Sequence, residues 1–419
     1  MRFVYFFILL CLLSMSLSAG VIEKNEIILD KSKTDYLQVR HIVLRGSGYE
    51  TGKALGEIAR NDYDVKLGKY VKPVFGKGRK LYMQQKYPIM YERMKGIAKA
   101  FGHDINNDDF DFSSLPYDAA PFSCSAIFVP PAQSLNGNPI LGRTCDFYFC
   151  SLAKLTGTKP VPRQCDLFQR SFVLEIYPDK GYASMSFGTL DLLNPIIGGI
   201  NEKGLVVCSL ADDSLPGEMT PLGGGRLCGL TPLQVVRYIL DNCATVEEAK
   251  LAYINNVRTT IFDSTHLLVA EPSGKSSVFE TADVDLLPRF TDNGGNVQLL
   301  TNFALWKYPE VKDFPEINPK EEYNPFLRYI KLFNYIREHK GKYTEEDLRN
   351  AMASVYARTI DANEGAARPL PCRTLWRVIY DMKELTAKLV FYRHDIKDAD
   401  GKISLKFSKE ITFKLNIKK

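Results

Sequence analysis

The sequence has little histidine and lacks the short motifs that mark many hydrolase and nucleotide sites. Only five of its 419 residues are histidine. None of them adjoins a Gly-x-Ser-x-Gly elbow, and neither an HExxH helix nor a Walker-type loop is present. The chain therefore gives no positive sign of a serine hydrolase, a zinc peptidase or a nucleotide-binding protein. A Ser-His-Asp or Cys-His triad stays open, because its members need not be close in sequence.

Metal-binding and nucleic-acid-binding patterns are missing as well. The cysteines form no CxxC pair and no Cys/His cluster with zinc spacing, so we expect neither a metal nor another cofactor. The formal net charge of +5 is spread along the chain rather than gathered in basic blocks, which argues against a nucleic-acid partner. With 45% hydrophobic and 25% charged residues, the composition is that of an ordinary globular protein.

The N-terminus has the layout of a secretory signal peptide. Arg2 precedes an unbroken apolar run from Phe3 to Leu13, and small residues follow up to Gly20 before the chain turns polar. The run is too short to span a bilayer comfortably, and no later stretch approaches that length. We expect residues 1–20 to be removed and the protein to be secreted or lumenal (extracellular, periplasmic or lysosome-like), without a membrane span. A buried N-terminal strand or helix is the alternative.

The sequence contains nine cysteines. Cys11 would leave with the signal, and export would place the other eight where disulfide bonds can form. Apart from Cys124, seven candidates for pairing remain, so at least one stays free or pairs between chains. These candidates are Cys145, Cys150, Cys165, Cys208, Cys228, Cys243 and Cys372.

The chain changes character at about residue 120. Residues 21 to about 115 contain a short strand candidate at His41–Leu44 and two helical patterns, near Ala54–Ala59 and from about Tyr87 to Phe101. From Cys124 onward, short β-rich runs are followed by helices and further strands, which favours an α+β fold. The predicted strands are 126–129, 140–142, 171–177, 183–187, 204–210, 266–269, 276–280, 297–301, 374–381 and 387–392, and the predicted helices are 233–242, 246–255 and 326–337.

Cys124 is the candidate nucleophile. It follows a linker broken by two prolines, opens a predicted strand, and is preceded by the small residue Ser123. A cysteine at the N-terminus of a processed chain can use its own α-amine as a base, since that amine has a pKa near about 8. Taken alone, Cys124 has a simpler interpretation as a structural or disulfide-bonded cysteine.

A set of short blocks in a fixed order supports the catalytic interpretation. The blocks are Phe122–Ala126, Asn136–Phe147 (which ends in Gly-Arg-x-x-Asp-Phe), Gly199–Leu205 (with Asn-Glu-x-Gly-Leu) and Leu300–Phe303, preceded by Gly46–Gly52 and Tyr91–Ala98. The blocks from Phe122 onward resemble the choloylglycine hydrolase and penicillin V acylase family. The two earlier blocks are similar to the pro-segment of acyl-CoA:6-aminopenicillanate acyltransferase-like proteins.

The resemblance implies an N-terminal-nucleophile (Ntn) hydrolase with a four-layer αββα sandwich. Residues 21–123 would be a helical pro-segment, and residues 124–419 would be the catalytic domain. Cys124 would attack the Ser123 carbonyl, and hydrolysis of the resulting thioester would expose the new N-terminus. The implied substrate is a small N-acylated amide, and the cleaved pro-segment is the implied partner, either retained or discarded.

The resemblance also implies five site residues. Cys124 would be the nucleophile and, through its amine, the base, while Arg143 would hold the thiolate region electrostatically. Asp146 would anchor the α-ammonium group, and Asn302 would donate a side-chain N–H to the tetrahedral oxyanion. Arg328 is a looser match to the family's late active-site arginine. The plainer alternatives are a surface ion pair for Arg143, a turn cap for Asp146 and an ordinary turn for Asn302.

Three positions depart from the family pattern. Ser125 stands where threonine is usual, and Ala211 stands where bile-salt enzymes carry an asparagine, which puts bile-salt or penicillin V specificity in doubt. Cys145 is unusual inside its block and is a candidate to pair with Cys150 or Cys165. Two other functions remain open: an acyltransferase that uses the same site with an amine acceptor, and a non-catalytic secreted binding protein in which Cys124 forms a disulfide bond.

Overall fold

The computed structural model describes residues 21–113, 123–151, 165–189, 192–193, 196–212, 229–258, 265–282, 285, 287–318, 324–358, 360–361 and 370–417. The predicted signal segment 1–20, the prolines at 116 and 121, and Cys228 lie outside the described residues. Within the described ranges, no helix is both long and apolar enough to cross a membrane.

The described part of the chain forms seventeen strands and seven α-helices. The strands are β1 (Ile22–Leu29), β2 (Gln38–Gly46), β3 (Ser123–Val129), β4 (Ile140–Tyr148), β5 (Arg170–Pro178), β6 (Ser184–Gly188), β7 (Ile196–Asn201), β8 (Val206–Ala211), β9 (Thr265–Ala270), β10 (Ser276–Thr281), β11 (Pro288–Asp292), β12 (Gln298–Leu300), β13 (Ile360–Asp361), β14 (Leu370–Asp381), β15 (Thr386–Lys397), β16 (Ile403–Phe407) and β17 (Ile411–Lys414). The helices are α1 (Gly48–Asp62), α2 (Pro73–Lys86), α3 (Pro88–Ala100), α4 (Pro232–Asn242), α5 (Val246–Asn255), α6 (Pro325–Glu338) and α7 (Glu345–Ser354).

The strands form two sheets. The first has the order β1-β2-β5-β6-β7-β8-β9-β10-β11, and the second has the order β12-β3-β4-β14-β15-β16, with β13 beside β14 and β17 beside β15. All their pairs are antiparallel except β2 with β5, which run parallel from Gln38 opposite Arg170 to Gly46 opposite Pro178. Cys124 lies near the start of β3 in the second sheet.

Three apolar clusters show that the elements stack in four layers. One cluster lies between the sheets and contains Phe128 of β3 and Val173 of β5. A second packs α1, α3, α4 and α5 on the outer face of the first sheet. The third packs α6 and α7, through Leu332 and Met352, on Ile127 of β3. Because consecutive residues of a strand face opposite sides, Ile127 and Phe128 enter different layers, and β3 is apolar on both faces.

Helix starts follow the expected capping chemistry. Thr231 caps α4: its side chain accepts a hydrogen bond from the Gln234 backbone N–H, the Gln234 side chain bonds back, and Pro232 takes the first helical position. The helix predicted at 233–242 is thus confirmed, with its start one residue earlier at Pro232. Ser47 and Glu50 form the same reciprocal cap on α1.

Two glycines of the early sequence blocks allow α1 and α3 to cross closely. A Cβ atom on Gly52 would lie 2.2 Å from the Arg93 carbonyl oxygen, and one on Gly96 would lie 2.1 Å from the Tyr49 carbonyl oxygen. A larger residue at either position would force the helices apart. This contact gives the physical reason for glycine in the blocks 46–52 and 91–98.

The prediction of a helical segment before Cys124 needs a correction. Residues 21–113 contain three helices, but they begin with β1 and β2, which are integral to the first sheet. Sequence patterns had indicated only the short strand at His41–Leu44. The reason is that β2 gains its partner β5 from a distant part of the chain, and half-exposed β1 shows little apolar alternation.

Candidate active site

The backbone of Cys124 is held by side chains from two other parts of the chain. Its N–H donates to Asn302 Oδ1 at 2.8 Å, and its carbonyl oxygen accepts a hydrogen bond from Arg328 Nη1. The residue is fully buried. Cys145 on β4 lies directly opposite it. The position of Cys124 is therefore fixed by β4 on one side and by the Asn302 and Arg328 side chains on the other.

Arg143 contacts the thiol of Cys124. Its Nη2 lies 3.1 Å from the Cys124 Sγ atom and 2.7 Å from the Ser209 carbonyl oxygen, and its guanidinium carbon lies 4.8 Å from the centre of the Trp376 ring. Arg143 is fully buried, so the alternative of a surface ion pair is wrong. Its Nε and Nη1 have no hydrogen-bond partner among the described residues.

The surroundings lower the pKa of the Cys124 thiol. Burial acts to raise this pKa, but a hydrogen bond with the Cys145 side chain and the positive charges of Arg143 and Arg328 outweigh it. Burial and the same hydrogen bond raise the pKa of Cys145 well above its ordinary value. Burial also raises the pKa of Cys208 to about 12. Cys124 is therefore the cysteine of this group that favours the reactive thiolate.

Asn302 follows β12 and bonds through both ends of its amide. Its Oδ1 accepts hydrogen bonds from the Cys124 N–H and from Arg328 Nη2, each at 2.8 Å, and its Nδ2 donates to the Ala211 carbonyl oxygen at 2.7 Å. An arginine can only donate, which fixes the amide orientation. Asn302 thus lies beside Cys124, and in the continuous chain its N–H group points to Ala211, so its role towards an oxyanion stays a prediction.

Asp146 is buried within β4 rather than at the end of a turn. Its carboxylate accepts hydrogen bonds from the Thr374 hydroxyl and from Thr144 Oγ1, the latter at 3.3 Å, and Ser123 is its partner in the β3–β4 register. The plainer alternative of a turn cap is therefore wrong. Asp146 therefore lies opposite the residue that precedes Cys124, and its role towards an α-ammonium group stays a prediction.

Arg328, the loosest sequence match, lies inside the site. Asn324 caps α6 by accepting a hydrogen bond from the Phe326 N–H, and Arg328 lies on the first turn and is buried. Besides the Cys124 carbonyl and Asn302, it donates to Ser125 Oγ at 2.9 Å. Its guanidinium group therefore joins three parts of the site.

Sequence reasoning missed several polar contacts around these residues. Thr374 on β14 donates to Asp146 and accepts a hydrogen bond from the Ala357 N–H at 2.8 Å. Thr144 accepts a hydrogen bond from the Ser125 N–H at 3.2 Å. Thr144 lies inside a sequence block and could have been found there, whereas Thr374 has no local signal.

A group of three buried side chains lies beyond Ala211. The donor atoms of Asp212, His266 and Glu280 lie within 4.8 Å of one another, close enough to hold a metal ion. Both Glu280 oxygens also accept backbone N–H groups, from Leu305 at 2.6 Å and from Trp306 at 2.9 Å. These bonds attach the segment that follows Asn302 to β10.

The predicted disulfide bonds are not observed in the described part of the chain. No disulfide bond involves its seven cysteines, and six of them are buried. The predicted pairing of Cys145 with Cys150 or Cys165 is absent. Cys145 instead lies opposite Cys124 on the neighbouring strand.

Comparison with known proteins gives one family match. Residues 124–327 match the linear amide C–N hydrolases, choloylglycine hydrolase family. Matching solved structures include two variants of conjugated bile acid hydrolase from Clostridium perfringens, each 15% identical with a TM-score of 0.45 and covering 70% of this chain and 97% of that one. Penicillin V acylase from Agrobacterium tumefaciens is 17% identical, with a TM-score of 0.40, and covers 64% and 82%. No curated protein matches the sequence significantly.

Proposed function

We propose that this chain, whose residues 124–327 belong to the choloylglycine hydrolase family of linear amide C–N hydrolases, is an enzyme that cuts itself before Cys124 and then hydrolyses small N-acylated amides through a thioester on Cys124. The observation that carries the proposal is the 3.1 Å contact between Arg143 Nη2 and the Cys124 Sγ atom. A buried thiol beside a guanidinium group that cannot lose its charge is an activated nucleophile.

Self-cleavage would begin at the peptide bond that precedes Cys124. The thiolate adds to the Ser123 carbonyl carbon, the C–N bond breaks, and the acyl group passes to sulfur while the former amide nitrogen becomes an amine. Water then hydrolyses the thioester, which frees the thiol and leaves Cys124 as an N-terminus. The hydrogen bond from Arg328 to the Cys124 carbonyl supports this step, because this bond holds Cys124 in place while the Cys124 nitrogen separates from the Ser123 carbonyl carbon.

The new N-terminus would then supply the base. In the continuous chain the Cys124 nitrogen has one N–H, which donates to Asn302 Oδ1, whereas an ammonium group has three. Asp146 lies beside the scissile bond in the register of β3 and β4, and its carboxylate would accept one of the additional N–H groups. The amine in its neutral form takes a proton from the thiol, and the ammonium form later protonates the leaving amine.

Developing negative charge on the substrate oxygen needs hydrogen-bond donors. Asn302 would provide one such donor: its side-chain N–H group would leave the Ala211 carbonyl oxygen and donate to the oxyanion instead. Arg143 has two further buried donors, Nε and Nη1, without partners among the described residues. A donor that meets the oxyanion only in the transition state lowers the barrier by roughly 3 to 4 kcal/mol.

Residues 21–123 would stay bound after cleavage as a small subunit. Strand β2 pairs with β5 over its full length. Departure of the segment would therefore leave β5 as an unpaired edge strand of the first sheet. Arg93 of α3 also forms a buried ion pair with Asp241 of α4. Residues 1–20 would act as the export signal that delivers the protein to an extracellular or lumenal compartment.

The test compares wild type with Cys124→Ala by reducing gel electrophoresis and N-terminal sequencing. We expect a fragment that starts Cys124-Ser125-Ala126 in wild type, and an uncut chain in the variant. If wild type also stays uncut from acid to neutral pH, Cys124 is a structural cysteine and the non-catalytic alternative gains support.

Processed enzyme would next be assayed on a panel of N-acyl amides, with and without an amine acceptor. Release of free acid in both arms supports the hydrolase. Formation of a new amide only with the acceptor would instead identify the acyltransferase that shares this site.

A further inference from the structure

We propose that Cys124 and Cys145 form a reversible disulfide bond, which makes Cys145 a second redox-active residue of the site. Formation of the bond needs the two thiols, the strand geometry and an oxidant, and it does not depend on the proposed activity. Its consequence, reversible loss of activity, rests on the proposed function of Cys124 as the nucleophile.

The strand geometry brings Cys124 and Cys145 close together. Residue pairs on antiparallel strands alternate between a longer and a shorter Cα–Cα distance, and these two cysteines form a pair of the shorter kind. Cys124 and Cys145 are direct partners in the β3–β4 register. The Cys124 N–H and carbonyl group bond to Asn302 and Arg328 and therefore point away from β4. This makes the two cysteines a non-hydrogen-bonded pair, in which Cα atoms lie roughly 4.5 Å apart. Disulfides span Cα separations of about 4.4 to 6.8 Å.

Both thiols face the apolar layer between the sheets. Cys124 and Cys145 are fully buried, belong to the same apolar cluster, and lie side by side on the same face of the sheet as direct partners in the β3–β4 register. Arg143 Nη2 lies 3.1 Å from the Cys124 Sγ atom and favours its thiolate form. Cys124 is therefore the sulfur that reacts first with an oxidant, and Cys145 is the neighbour that can attack it afterwards.

A hydroperoxide is the oxidant class that fits these two thiols. The Cys124 thiolate attacks the terminal peroxide oxygen, the O–O bond breaks, and Cys124 becomes a sulfenic acid while the peroxide leaves as water or an alcohol. The Cys145 sulfur then attacks the Cys124 Sγ atom, the S–S bond forms, and the sulfenic oxygen leaves as water with the Cys145 proton. The two thiols are oxidised together and one hydroperoxide is reduced.

The pairing would protect the nucleophile. A sulfenic acid without a neighbouring thiol is oxidised further to sulfinic acid, which a dithiol does not reverse. Reduction of the Cys124–Cys145 bond by a dithiol would restore both thiols. Because of Cys145, oxidation of Cys124 would thus cause a reversible rather than an irreversible loss of activity.

The experiment treats the purified full-length protein, processed or not, with hydrogen peroxide, blocks remaining thiols and maps the peptides by mass spectrometry. We expect a peptide pair joined through Cys124 and Cys145 in wild type. We also expect dithiothreitol to restore at least about half of the initial activity, whereas Cys145→Ser should recover less than about a tenth and accumulate sulfinic acid at Cys124. The recovered activity of each protein is compared with the activity of the same protein before peroxide treatment, when its thiols are reduced.

Cys208→Ser is the matched control, because Cys208 is also buried but lies on β8 of the opposite sheet; its recovery should equal that of wild type. Oxidation of Cys124 in wild type without the joined peptides would overturn the proposal, even if Cys145→Ser fails to fold. A joined pair in a protein that neither cuts itself nor hydrolyses amides would leave the bond established and overturn the proposed function instead.

Discussion

Arg328 Nη2 donates a hydrogen bond to Asn302 Oδ1 at 2.8 Å, and this contact joins helix α6 to the segment that follows β12. Both side chains also bond to the backbone of Cys124, Arg328 at its carbonyl oxygen and Asn302 at its N–H. The pair therefore sets the position of Cys124, the proposed nucleophile, and the direction in which the Asn302 N–H group points. Changes to either residue should affect catalysis more than folding.

Arg328→Lys should slow both self-cleavage and amide hydrolysis. A lysine keeps the charge but lacks the planar fork that reaches Cys124, Ser125 and Asn302 together. Loss of one hydrogen bond from a charged donor, which contributes about 1.5 to 3 kcal/mol, predicts a decrease of roughly 10- to 150-fold in each rate. The measurements are the cleavage half-time on gels and kcat/KM. Arg337→Lys, on the exposed end of α6, is the control and should change neither.

Asn302→Asp tests the role of the amide N–H group separately from that of the amide oxygen. Aspartate retains oxygens for the Cys124 N–H and for Arg328, but it has no N–H group for the oxyanion. If that N–H group stabilises the transition state, kcat should fall by roughly 100- to 1,000-fold with little change in KM. The added negative charge also raises the pKa of the nearby thiol, so kcat must be compared on the high-pH plateau. A decrease below about tenfold there would rule out the oxyanion role.

The sequence was most informative where function depends on a few adjacent residues. Cys124, Arg143 and Asp146 lie within two short blocks, because one β-hairpin brings them together. Asn302 was recognisable from its block, yet the hydrogen bond of its N–H group to Ala211 depends on strand β8 of the opposite sheet and could not be read from that block.

Contacts between distant parts of the chain were not predictable from local patterns. Thr374 bonds to Asp146 only because β14 pairs with β4, and nothing in its own neighbourhood marks it. The same reason explains why β1 and β2 were missed as members of the first sheet. Local periodicity indicates a strand or a helix, whereas pairing across the chain decides which strands share a sheet.

Asp241→Asn should weaken the attachment of the small subunit. Asp241 accepts hydrogen bonds from Arg93 and Tyr87, which precede the cleavage site, and it lies 3.7 Å from Arg237. The variant leaves two buried guanidinium groups without a carboxylate, which typically costs about 3 to 5 kcal/mol. We expect the processed wild-type fragments to elute together in gel filtration, and those of the variant to separate or precipitate. Glu92→Gln, which removes an exposed ion pair with Lys95, is the control, and co-elution of the Asp241→Asn fragments with unchanged thermal stability would contradict the prediction.

The pH dependence of self-cleavage tests the electrostatic effect of Arg143 on the thiol. The pKa of Cys124 lies below its ordinary value although burial opposes this, because the Cys145 hydrogen bond and the positive charge of Arg143 favour the thiolate. The cleavage rate of freshly refolded wild type should therefore reach half of its maximum at a pH below the ordinary pKa of a thiol. Arg143→Gln removes the charge at similar size, so its midpoint should move to higher pH, and its rate at neutral pH should fall by up to about tenfold for each unit of that shift. Arg143→Lys keeps the charge and should show a smaller shift. Equal midpoints in wild type and Arg143→Gln would mean that Arg143 acts through geometry alone, and the thiolate would then depend on Cys145 and Arg328.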